Sequence, residues 1–140
     1  MRYLSTRNGP EISLEDAIMS GTAPDGGLYV PANLPTFAPA DFDGIDAIDH
    51  LAAKMLQPFF AGSVLENQLA EICTEAFSFE APSRVLEEGG SSLSVLELFH
   101  GPTAAFKDFG ARFLAACMVR IAASRKLNTP LTILVATSGD

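Results

Sequence analysis

The last third of the chain reads, in order, as strand, long helix and strand, and this order leaves few folds open. Leu93 to Phe99 reads as a strand. Asp108 to Arg125 reads as a helix, with Phe109, Phe113, Leu114, Cys117 and Ile121 among its apolar positions. Leu131 to Ala136, LTILVA, is a short and nearly continuous apolar run, as expected of a strand covered on both faces. Together they predict a βαβ unit with a right-handed crossover, and hence an α/β fold. Parallel strands would bring the segments 100–110 and 137–140 to one carboxyl edge of the sheet, where open α/β sheets bind their ligands.

The preceding residues carry shorter elements with clear punctuation. Arg2 to Ser5 suits a brief strand. Ser13 with Asp16 three residues on has the form of a helix start, and Gly21 its end. Pro24-Asp-Gly-Gly27 is a turn leading into an extended Leu28–Val30, and residues 31–44, with Pro31, Pro35 and Pro39, form an irregular connection. Ile45, Ile48, Leu51, Met55, Leu56 and Phe59 recur at helical spacing, with Pro58 limiting that helix near its end. Ser63 with Glu66 opens a second amphipathic helix carrying Val64, Leu65, Leu69, Ile72, Ala76 and Phe77. Both stripes read as a packed helical core. The composition shift at Glu87-Glu-Gly-Gly-Ser-Ser92 divides the chain into a helical unit, 1–90, and the start of an α/β domain, 91–140.

Composition narrows the function classes. With 140 residues, 48% of them hydrophobic, the chain suits a compact globular unit rather than a disordered one. Nine Lys and Arg against seventeen Asp and Glu leave a net charge of −8, which repels nucleic-acid backbones and anionic lipid surfaces. The longest apolar run, Phe113 to Val119, falls far short of the roughly 18 residues of a membrane span. The N-terminus lacks the apolar stretch of a signal peptide, so the expected address is the cytoplasm. Cys73 and Cys117 lie in helical patterns far from any paired-ligand spacing, and only His50 and His100 are present. Buried reduced thiols and no metal site are expected.

Lys107 is the residue to which chemistry is assigned. The chain holds three lysines; Lys54 suits an exposed helix face and Lys126 a helix C-terminus, where a cation suits the dipole. Lys107 instead follows Ala104, Ala105 and Phe106 and precedes Asp108 and Phe109, surroundings that suit a partly desolvated, nucleophilic amine. A solvated lysine opening a helix has a similar sequence, and Asp108 is favourable in a first helical turn whatever its function.

Three segments carry a resemblance. HGPTAAFKDFGARF, from His100 to Phe113, resembles the cofactor-lysine segment of the threonine synthase family, pyridoxal-phosphate (PLP) enzymes of the tryptophan synthase β-like fold, called fold type II. Ala23 to Pro31, APDGGLYVP, resembles that family's N-terminal signature, and Ala136 to Asp140, ATSGD, the opening of its TSGDTG loop. The resemblance implies that Lys107 holds PLP as a Schiff base and later moves protons on the substrate. It also implies that Phe106 packs on the cofactor ring and that Thr137, Ser138, Gly139 and Asp140 bind substrate. Asp140 is further implied to contact the cofactor, and Thr103 and His100 to line the site. The implied substrate is O-phospho-L-homoserine, converted with water to L-threonine and phosphate. Because ATSGD stops inside the motif, the chain is expected to be an N-terminal portion, inactive alone. Other readings are a different PLP lyase of this fold, such as a threonine dehydratase, against which the APDGGLYVP segment argues, and a non-catalytic interaction domain.

Overall fold

The structure is a computed structural model and describes residues 1–88, 91–127 and 130–134. The described residues form two small antiparallel sheets and a helical core. In the first sheet β1 (Tyr3–Ser5) pairs with β2 (Tyr29–Pro31), Leu4 opposite Val30. Between them runs α1 (Leu14–Ser20), starting where the sequence places it: the Ser13 side chain accepts the Asp16 N–H, and Gly21 closes the helix at φ 69°. The APDGG turn is tied to β1. Asp25 accepts the Ser5 hydroxyl at 2.8 Å and the Gly27 N–H at 2.9 Å. Those bonds, the Gly27 amide foremost and then Ser5, hold the Asp25 carboxyl below its ordinary range. A Cβ on Gly27 would run into Ser5 Oγ and approach Asp25 Oδ1 to 3.0 Å, so the second glycine of the pair is required by close approach.

Helices α2 (Ile48–Phe60), α3 (Leu69–Ala76) and α4 (Lys107–Ser124) supply the core. The expected start of α2 at Ile45 is three residues early, and Pro58 sits within its last turn. The Ser63–Glu66 pair does not open α3 directly. Ser63 accepts the Leu65 and Glu66 N–H groups, Glu66 accepts the Gly62 N–H, and a 3₁₀ turn at Glu66–Gln68 comes before the helix proper. Leu65, Ile72, Cys73, Cys117 and Ile121 are fully enclosed. One cluster joins Tyr3, Leu14, Phe60, Leu65, Leu69, Ile72 and Cys73 to Ala116, Cys117 and Ile121 of α4.

Packing of α4 on α3 is set by a stripe of α4 residues at helical spacing. Phe113 stacks on Phe77 at 5.6 Å and meets Phe60 edge-on at 5.8 Å, while Phe109 packs against Phe77 and Phe79. Between these rings Arg112 donates to the carbonyls of Ala76 (2.9 Å) and Glu75 (2.8 Å) and to Ser78 Oγ (3.1 Å), satisfying the open end of α3. One turn or more further on, Arg120 pairs with Glu75 at 2.8 Å and Arg125 with Asp16 at 2.6 Å. A further tie spans α1 and the α2–α3 connection: buried Glu15 accepts the Val64 N–H at 2.7 Å. Burial raises the Glu15 carboxyl, but that amide, Ser13 and Arg125 outweigh it and leave it below its ordinary value.

Among the described residues, the later strand pairs with an earlier one that the sequence leaves unassigned. β4 (Ser91–Leu96) is present, but its partner is β3 (Ser83–Glu88), antiparallel, with Glu88 opposite Ser91. A two-residue Gly-Gly connection between extended runs is a hairpin signal, and a local hairpin forms without the crossover a parallel pair needs. Glu87 and Glu88 thus pair with Ser92 and Ser91 across the expected boundary. Residues 130–134 belong to no strand, and Leu131, Ile133 and Leu134 are exposed; the remainder of the expected second strand lies outside the described residues. The mixed α/β class holds. Among the described residues no helix is long and apolar enough to cross a membrane, and no group of three or more His, Cys, Asp or Glu side chains could hold a metal.

Two outcomes are expected. Arg112→Ala leaves α3's last carbonyls without their donor and should lower unfolding free energy by about 2 kcal/mol, read from the urea midpoint. Burial pushes the Cys73 thiol up to about 11 and, with the neighbouring Cys73, that of Cys117 up to about 12. The unfolded chain loses these protons near pH ~8.5. The unfolded state thus binds fewer protons above that pH, and stability should fall as pH rises from about 9 towards 12. A pH series of denaturation midpoints in the parent and in Cys117→Ala checks this, since the slope should be shallower in the variant.

Candidate functional site

Lys107 is the first residue of α4, so the α3–α4 packing just described determines where it stands. It lies two residues before Phe109, the first member of the buried stripe, and is itself exposed. The loop ahead of it is folded back on the helix. Asp108, immediately after the lysine, is 6% exposed. Its Oδ2 accepts the Thr103 N–H at 2.8 Å and its Oδ1 the Thr103 hydroxyl at 3.0 Å. Gly101 lies against the same carboxylate: a Cβ there would stand 2.7 Å from Asp108 Cβ and 2.9 Å from Cγ, and would overlap Oδ2. The turn Gly101–Ala104 is closed by the Ala104 N–H on the Gly101 carbonyl at 3.0 Å. Ala104 takes φ 56°, a left-handed conformation that costs an L-residue on the order of 1–2 kcal/mol. Surrounding contacts must hold it there.

The other candidates are placed as follows. Phe106 caps α4 with its ring 64% exposed, beside the lysine rather than in the core. Thr103 is exposed, with both its N–H and its hydroxyl hydrogen directed to Asp108. His100 stacks on Phe99 at 4.7 Å, and its Nε2 lies 2.7 Å from a Glu97 oxygen, while Arg84 of β3 meets the other Glu97 oxygen at 3.6 Å. Thr137, Ser138, Gly139 and Asp140 lie outside the described residues, so the expected meeting of two loops at one sheet edge rests on sequence. The desolvated setting expected for Lys107 is not formed by its neighbours in sequence, because Ala104 and Phe106 are themselves exposed. Two cavities nearby, of about 500 Å³ along residues 46–49 and 77–82 and about 310 Å³ between α2, Phe77 and Phe109, include neither Lys107 nor Phe106 in their walls.

Sequence reasoning missed the Thr103–Asp108 bond and the need for glycine at 101. The available signal was a small hydroxyl residue and a glycine shortly before an acid in a first helical turn.

In both sequence and shape, known proteins converge on one class, the amino-acid synthases. Threonine synthase from Pseudomonas aeruginosa is 39% identical over 145 residues, covering 100% of this chain and 30% of that protein. Threonine synthase from Escherichia coli is 39% identical over 132 residues, covering 93% of this chain and 29% of its own length. Among solved structures, PLP-bound threonine synthase from Brucella melitensis superposes with a TM-score of 0.79 at 34% identity, over 90% of this chain and 28% of that one. The E. coli enzyme gives 0.78 at 34% identity, over 87% of this chain and 28% of its own. The family model described as the threonine synthase N terminus matches residues 2–77, and the chain belongs to the threonine synthase family. It spans about 30% of the length of the curated relatives it matches.

Gly101→Ala should drive the Asp108 carboxylate out of its seat. The expected cost is about 1–3 kcal/mol in denaturant unfolding. Gly110 of α4, where an added Cβ meets nothing within 4 Å, is the control position, and its substitution by alanine should show no such loss.

Proposed function

We propose that this chain is the N-terminal portion of a threonine synthase that converts O-phospho-L-homoserine and water to L-threonine and phosphate, with Lys107 as the residue to which PLP is joined. The observation that carries the reading is the place of Lys107: the first position of an 18-residue helix, behind a locked glycine-containing loop, in a family of which a solved member holds PLP. An aldehyde cofactor needs a primary amine on a rigid element, and Lys107 at the head of α4, with Phe106 beside it, fits that need.

PLP supplies an electron sink for negative charge at the substrate's α-carbon. The chain's own part is to bind and to move protons. Lys107 would hold the cofactor through its Nζ, and the same amine, when not joined to it, would carry protons between the substrate's carbons. Phe106 offers a ring face for the cofactor, and the exposed His100–Thr103 segment borders the same space. Thr137, Ser138, Gly139 and Asp140 bind the polar groups of substrate and cofactor through hydroxyls and backbone N–H groups, a reading supported by the ATSGD segment. Residues 1–90 form the N-terminal domain and 91–140 begin the PLP-binding domain of a fold type II enzyme in threonine biosynthesis, acting in the cytoplasm. The family model's extent over residues 2–77 supports that division. The chain's span of about 30% of its relatives' length supports a further point: the activity belongs to the family-length enzyme and not to this chain alone.

The test is PLP titration of the family-length protein, followed by borohydride reduction and mapping of the modified lysine. Label on Lys107 is expected, and label on Lys54 or Lys126 instead would overturn the assignment. Lys107→Ala should abolish the label and lower threonine formation at least about a thousandfold, with the unfolding midpoint unchanged. Self-association without cofactor uptake would favour an interaction module, a reading to which exposed Val85, Leu86, Leu93 and Leu96 of the hairpin lend some support.

A further inference from the structure

We propose that Asp108 is a positioning residue for Lys107, locking the loop ahead of α4 through Thr103 and Gly101 and so fixing where the lysine's helix begins. The proposal rests on the reading of Lys107 as the cofactor lysine. It departs from that reading's expectation for Thr103, which here acts through Asp108.

Three independent features point to this role. An acid in a first helical turn commonly faces solvent or the free N–H groups of its own helix. Asp108 instead turns back and is enclosed, and each of its oxygens accepts a separate hydrogen from one residue five positions earlier. A carboxylate out of water needs such partners, and Thr103 supplies both a backbone and a side-chain donor.

Gly101 is the second feature. Its α-carbon lies so close to Asp108 that no side chain fits, so the loop is packed onto the carboxylate rather than merely tethered to it. The third is the left-handed Ala104 between these two contacts, a conformation that an L-residue keeps only where its surroundings determine it. The Asp108 N–H bonds the Ala105 carbonyl at 3.1 Å, and the Phe109 N–H bonds the Phe106 carbonyl at 3.2 Å. The backbone from 101 to 109 is therefore one hydrogen-bonded unit, and Lys107 lies inside it. The peptide units flanking the lysine are held through the Ala105 carbonyl and the Phe109 N–H, inside the loop that the Asp108 side chain closes onto Thr103.

The experiment is a double-mutant cycle in the family-length protein with Thr103→Val, Asp108→Ala and their combination, with Thr103→Ser as the conservative variant. Three quantities are read: exchange of the Thr103 amide hydrogen, the fraction of Lys107 labelled at subsaturating PLP, and kcat and KM for O-phospho-L-homoserine. Thr103→Val should lower labelling and reduce kcat by about tenfold to a hundredfold, with KM within about threefold of the parent, as expected when a reacting group is misplaced. Thr103→Ser should recover most of that loss. In Asp108→Ala the Thr103 amide should exchange at least about tenfold faster, and the double variant should be no worse than Asp108→Ala alone.

Multiplying effects would overturn the proposal, as would unchanged amide exchange or a Thr103→Val variant that raises KM alone. The last outcome would make Thr103 a substrate ligand. If Asp108→Ala fails to fold, Thr103→Val and its serine rescue decide the matter. Absence of label on Lys107 in the parent would sink the cofactor reading, while the exchange measurement would still decide whether the lock exists.

Discussion

The seam between α3 and α4 organises this chain. Its apolar part is a run of rings and small side chains from Phe109 to Ile121, and its polar part is Arg112, whose guanidinium closes the end of α3. The two parts act together. Ring stacking sets the distance between the helices, and the fork of the guanidinium sets their relative register, because its donors meet carbonyls at fixed positions. α1 and the first small sheet then pack against an interface already determined, tied down by Glu15 and Asp16.

The candidate site sits at one end of that seam. Sequence neighbours do not bury Lys107, and the two cavities beside α2 and Phe77 do not include it; what the chain contributes is a fixed starting point for the helix and a shaped loop before it. Rigidity of this kind is what covalent cofactor chemistry asks of the residue that holds the cofactor. The same economy appears at the APDGG turn, where an acid, a serine and a glycine approach too closely for any larger residue. Two of the three family-like segments thus have a mechanical reading that stands without reference to catalysis.

What was legible in the sequence was what local physics decides. Ser13 and Gly21 mark α1 because capping involves only adjacent backbone, and the stripes of α2, α3 and α4 show because burial imposes a period. Strand pairing is not local in that sense. β4 is legible as a strand, but its pairing with β3 is not, since the apolar run after α4 offers another candidate partner and the Gly-Gly pair reads equally as a boundary. The Thr103–Asp108 contact follows no period at all and depends on a loop shape that includes a left-handed alanine. Lys107 stood out by scarcity and by resemblance, whereas its exposure depends on packing that sequence does not display.

One consequence concerns leverage. An 18-residue helix is about 27 Å long, and α4 carries its lysine at the tip while its anchors, Arg112, Arg120 and Arg125, are spread along the rest. A tilt of only about 2° about the far end would swing the tip by about 1 Å, a displacement able to change the rate of an aligned reaction a hundredfold. Aim at the tip is therefore governed from the shaft. Substitutions at Glu75 or Asp16, which touch neither loop nor lysine, act on the same coordinate as substitutions beside it.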